Sequence, residues 1–179
     1  PDRMLLLQAL SNKDLADVHP ETLDDALAAA TAIRDHAMRM LADLDERTRT
    51  DLWRDAVLNP RVDGEELADD HRVLQQRFDA DRIALFRSDP RTLWQEMLRG
   101  VRDAEDDEPC TGTAALLSRG YGDGPHRGIA FVTVCRCLGI PARLNPETRS
   151  PQYFNGARFV DVQARDDDRL VACTLAAPG

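Results

Sequence analysis

Apolar residues recur at three- and four-residue intervals through most of the first hundred positions, the pattern of helices that each turn one stripe to a core. The longest stripe joins Leu23, Leu27, Ala30, Ile33, Ala37, Leu41 and Leu44, and Pro20 sits where a first helical residue is expected. Before it, Ser11 and Asp14 have the spacing of a capping box. After it, Asp51, Leu52, Trp53, Ala56, Val57 and Leu58 predict a helix stopped by Pro60, and a further one follows Gly64 through Leu67, Val73, Leu74 and Phe78. From Asp89 to Val101 a helix starts at Pro90 and buries Leu93, Trp94, Met97, Leu98 and Val101.

The pattern changes after the acidic run Asp103, Glu105, Asp106, Asp107, Glu108 and Pro109, which reads as a solvated linker. It lacks the alternating ligands and turn glycine of a calcium loop. Gly120, Gly122, Gly124 and Gly128 then lead into a helix that is apolar almost all round: Ile129, Ala130, Phe131, Val132, Val134, Cys135 and Leu138. Asp123 or Gly124 caps it, Pro125 takes its first turn, and Gly139, Ile140 and Pro141 end it. Helices apolar on every side lie in the middle of a domain. Extended segments follow at Ala142 to Leu144, Gln152 to Phe154, Phe159 to Val162 and Leu170 to Leu175. The fold class is therefore α+β, with a helical region over 1–108 and a mixed core over 109–179.

The residues Arg136, Leu138, Gly139, Ile140, Pro141, Ala142 and Arg143 spell R-x-L-G-I-P-A-R at the end of that helix. This resembles the central helix and turn of the transglutaminase-like domain, a relative of papain-like cysteine peptidases. VLNPRVDGEEL over 57–67 is similar to a lead-in segment of some bacterial members, and PQYFNGARFVDV to their strand pair. The resemblance implies a buried helix packed on antiparallel strands and a Cys-His-Asp triad, with the cysteine at the helix N-terminus. There the free amides and dipole favour a thiolate, and a histidine on a strand takes the proton.

Carried onto this chain, the nucleophile position is Gly124, the histidine position Gln152 and the third position Asp161. The chain has no cysteine at the first and no histidine after His126. The expectation is a catalytically silent domain that binds a peptide or glycan in the old cleft, as one module among other domains of a longer bacterial polypeptide; a start at Pro1 and an end at Gly179 fit a piece of a larger chain. His126, Arg127, Arg143 and Tyr153 are the candidate binding residues. The alternative is an active thiol amidase, peptidase or transglutaminase that uses a displaced cysteine, Cys110 above all, or a histidine outside these residues. A third reading makes the helical half an interaction module in its own right.

Other chemistry is poorly provided for. Cys135 is expected as a small core hydrophobe, and Cys137 lies roughly 200° further round the same helix, so the two cannot share a metal. No zinc-type spacing and no phosphate-loop motif occurs, and neither a metal nor a cofactor is expected. His19, His36 and His71 show no patterned partners. Lys13 is the sole lysine, which removes Schiff-base chemistry from consideration. A net charge of -9 disfavours phosphate backbones, so nucleic acid is not an expected partner. No apolar run reaches the ~20 residues that span a bilayer.

Overall fold

The computed structural model describes residues 2–68, 70–104 and 112–163. Helices α1 (Asp2–Ala9), α2 (Asn12–Asp17), α3 (Pro20–Met40) and α4 (Glu46–Trp53) are followed by a π-helical turn, Arg54–Leu58. Next come α5 (His71–Gln76), α6 (Ala80–Ser88), α7 (Pro90–Gly100), strand β1 (Arg102–Asp103), α8 (Thr113–Arg119) and β2 (Tyr121–Gly122). Helix α9 (Gly124–Cys137) then leads into β3 (Ala142–Leu144), β4 (Pro151–Phe154) and β5 (Phe159–Asp161). Strands β1 and β2 pair in parallel, and β3-β4-β5 form an antiparallel sheet. The class is α+β, as the change of pattern along the chain predicts.

Local chemistry sets most helix starts. Ser11 and Asp14 make the reciprocal bonds of a capping box at α2. Asp45, Asp79, Asp89 and Asp123 cap α4, α6, α7 and α9 by accepting from amides of the first turn. The helix expected from Asp51 starts earlier, at Glu46, because Asp45 supplies that cap. The helix expected after Gly64 begins only at His71. The Glu65 carboxylate accepts the amides of Val62 and Asp63 at 2.6 and 2.7 Å, folding that stretch into a tight loop instead. Val73, read as part of an apolar stripe, is 57% exposed. The candidate strand Leu170 to Leu175 lies outside the described residues.

Every residue of α9 from Gly128 to Cys137 is buried. Around it, one apolar cluster gathers Leu74, Phe86, Leu93, Trp94, Met97 and Val101 from before residue 108, with Ala142, Tyr153 and Val162 from after it. The core therefore runs across the boundary read from the acidic run. Trp94 of α7 meets Phe131 of α9 edge to face at 5.6 Å between ring centres. A second cluster, with Ile33, Ala37, Leu41, Trp53, Val57 and Leu58, receives Phe154 and Phe159 from the sheet.

Polar groups fix α9 lengthwise. Its last carbonyls have no partner within the helix and take donors from elsewhere: Gln75 donates to Cys137 O at 2.9 Å, while also reaching Ala29 O of α3 at 3.0 Å, and Arg87 Nε donates to Leu138 O at 2.9 Å. Gly139, at φ +78°, closes a Schellman turn through Ile140 N to Cys135 O and its own amide to Arg136 O. A Cβ there would lie 3.0 Å from Ile33 O of α3. Buried Arg136 donates through Nε to Ala142 O at 2.9 Å and through one terminal nitrogen to Asn59 O at 2.7 Å and Arg61 O at 2.8 Å. Burial pulls its pKa down to about 10, with the nearby Glu65 carboxylate opposing that, so it is a cation at neutral pH.

Two outcomes follow for stability. Gly139→Ala combines a left-handed backbone with a backbone clash and should lose about 1–3 kcal/mol, read as a lower urea midpoint with an unchanged slope. Arg136→Met leaves three carbonyls without their donor and Glu65 without its cation. It should cost about 3–5 kcal/mol in the same assay, with Arg136→Lys recovering part of the loss.

Candidate functional site

A cleft of about 580 Å³ opens at the N-terminus of α9. Pro125, His126 and Ile129 form its floor, the loop from Arg61 to Leu67 one wall, and Lys13 and His19 complete the lining. The position at which the family resemblance implies a nucleophile, Gly124, begins α9 next to this floor, and a Cβ built on it would meet open space. Asp123 fixes the helix start: its Oδ1 accepts the His126 amide at 2.8 Å and lies 3.0 Å from the His126 Nδ1. His126 is thus oriented by the capping residue at the mouth of the cleft.

The loop wall is tied down by its charged groups, both within the loop and to α2 and Arg149. Arg61 pairs with Asp14 at 2.5 Å and also donates to the Glu65 carbonyl oxygen. Burial pushes the Asp14 carboxyl up, but bonds from Ser11 and Arg61 outweigh it and hold the group below its ordinary value. Glu65 closes the loop through two backbone amides, and Asp63 pairs with Arg149. Lys13 and Glu66 are exposed on the rim with no ion pair among the described residues. The sequence reading did not single out these wall residues. The segment VLNPRVDGEEL stands out in the sequence, but only the fold shows that it lies against a helix sixty residues further along.

The other two triad positions come together, away from this cleft. Gln152 pairs directly with Asp161 across β4 and β5, and with Arg143 across β3. Arg143 Nε donates to Gln152 Oε1 at 3.1 Å, and its guanidinium lies 4.1 Å above the Phe159 ring. Side chains alternate between sheet faces. Ala142, Leu144, Tyr153, Val160 and Val162 join the cluster around α9, which leaves Arg143, Gln152 and Asp161 on the face shared with Phe154 and Phe159. Of the three positions, only Gly124 adjoins the cleft.

The candidate binding residues scatter likewise. His126 lines the cleft, whereas Arg127 turns to Asp103 at 2.8 Å and Arg143 lies against Gln152 and Phe159. Tyr153, 5% exposed, borders a different cleft of about 370 Å³.

Thiol chemistry has no seat in the described residues. Cys135 and Cys137 are fully enclosed in α9, and burial pushes both thiols well above their ordinary range. Cys110 and Cys173 lie outside the described residues. No group of three or more His, Cys, Asp and Glu side chains is arranged to hold a metal among the described residues, and no described helix is long and apolar enough to cross a membrane.

Set against family models, curated proteins and solved structures, the chain finds no match.

Proposed function

We propose that this chain is a transglutaminase-like domain of papain-like type whose catalytic positions are vacant, and that it binds peptide in the cleft at the N-terminus of α9. The observation that carries the reading is an open cleft at a helix N-terminus where Gly124, Pro125 and His126 stand in place of a cysteine. A large concave site with fixed walls and a few charged groups at the rim is the form expected of a ligand site. The R-x-L-G-I-P-A-R segment supports the family assignment, since it ends a buried helix in a Schellman turn and runs straight into an antiparallel sheet.

Peptide is favoured over glycan by the lining. Leu67, Pro125 and Ile129 offer apolar surface, Lys13 and Glu66 offer one charge of each sign, and no Phe, Tyr or Trp lines the cleft for a sugar ring to stack on. A chain segment carrying an apolar side chain between charged ones matches that surface. Other domains of the same polypeptide are a natural source of such a segment.

The test is fluorescence anisotropy with fluorescein-labelled peptide pools of acidic, basic and mixed composition. At least one pool should bind with a micromolar Kd, and Lys13→Glu or Glu66→Lys should shift that Kd by about tenfold, in opposite directions for acidic and basic pools. Failure of every pool to bind, or peptide cleavage that iodoacetamide abolishes, would sink the proposal.

The competing thiol reading makes a separate forecast. Cys135 and Cys137 should react with iodoacetamide about a hundredfold or more slowly in the folded chain than in urea, as followed by mass spectrometry. Either one reacting faster folded than unfolded would revive a displaced nucleophile.

A further inference from the structure

The second cleft, about 370 Å³, lies where the end of α3 (Met40), the α6–α7 junction (Arg87 to Arg91) and the end of β4 (Tyr153 to Asn155) meet. Its polar groups are mostly donors. Arg87 spends Nε on Leu138 O and has no ion pair among the described residues, so its terminal nitrogens remain. Tyr153 is 5% exposed, and its hydroxyl makes no hydrogen bond to any described residue, although the residue borders the cleft. Asn155 accepts the amides of Ala157 and Arg158 through Oδ1, both at 3.0 Å, which fixes the amide and leaves Nδ2 as a donor. The one carboxylate on the rim, Asp89, is engaged by the Arg91 amide at 3.1 Å and its Nε at 3.2 Å.

Cations gather around Arg87 although the net charge of the chain is -9. Arg39, one residue before Met40 of the rim, and Arg87 act on each other and on His36 as like charges. Burial and those two arginines hold His36 down to about 4, and its Nε2 is buried with no hydrogen-bond partner among the described residues. A half-buried guanidinium with no ion pair carries a desolvation cost, and an incoming anion would offset it. A guanidinium beside a hydroxyl and an amide donor suits planar or tetrahedral oxygens, to which arginine can present two parallel N–H bonds.

The geometry points to an oxyanion site in this second cleft, taking the phosphate or carboxylate group of a small molecule between the Arg87 guanidinium, the Tyr153 hydroxyl and the Asn155 side-chain amide. The site is independent of the peptide cleft at the N-terminus of α9 and shares no lining residue with it.

The test records proton–nitrogen correlation spectra of the full chain while inorganic phosphate, acetate and chloride are titrated separately at constant ionic strength. Phosphate or acetate should shift the Ser88, Phe154 and Asn155 amides to saturation while chloride does not, and whichever oxyanion saturates at lower concentration identifies the group. Arg87 also caps α9, so the decisive variants lie elsewhere. Tyr153→Phe keeps the ring and should weaken binding about tenfold. Asn155→Asp retains the turn-forming Oδ1 but replaces the donor with negative charge, and saturation should disappear. Linear shifts common to all three anions, or a Tyr153→Phe curve superimposed on that of the unsubstituted chain, would overturn the site.

Discussion

A guanidinium in the middle of a protein must find an acceptor for its N–H groups, and Arg136 finds them on two stretches of chain far apart in sequence. One is Ala142, at the start of the sheet. The other is the Asn59 and Arg61 backbone, at the start of the loop that walls the main cleft. Glu65, which opposes the cost of burying that cation, is also the residue whose carboxylate ties the loop shut. The same interaction therefore seats the sheet, seats the loop and sets one wall of the site. Neither the helix nor the loop would hold its position if the charge were simply removed.

The two ends of α9 are treated differently, and the difference is what makes a site. At the C-terminal end Gln75, Arg87 and the Schellman turn satisfy the closing carbonyls, and α3 approaches so closely that only glycine fits at residue 139. At the N-terminal end Asp123 caps one amide and the first residues face a cleft. Packing density is spent on the first end, and access is left at the second. Arg87 takes part in both, since it closes the helix through Nε and also lines the second cleft.

Charge is divided in the same way. Most ionic groups at the main cleft are consumed by structure: Arg61 with Asp14, Glu65 with backbone amides, Asp63 with Arg149. What remains at its rim is one exposed cation and one exposed anion, Lys13 and Glu66. The second cleft keeps one cation without an ion pair among the described residues, Arg87, despite the acidity of the whole chain. Net charge bounds the class of partner for a protein, while each cleft has its own sign.

The sequence by itself determined the elements whose signals are local. The α3 stripe begins at Pro20, the capping box stands at Ser11 and Asp14, α7 begins at Pro90, and α9 stops at Gly139; each follows from residues within one or two turns. The strands after Pro141 were legible for the same reason. Helix α6, with Phe86 its single buried side chain, carried too weak a stripe to read, and the delayed start of α5 depended on where the Glu65 carboxylate folded back. Of the lining of the first cleft, the sequence points only to His126, with Gly124 beside it, because both sit on a recognisable helix start. That Gln152 and Asp161 face away from it, that Arg127 turns to Asp103, and that Tyr153 borders another cleft were decided by tertiary structure alone. Sheet face and cleft membership depend on which long-range partner covers each side, and a linear pattern carries no record of that partner.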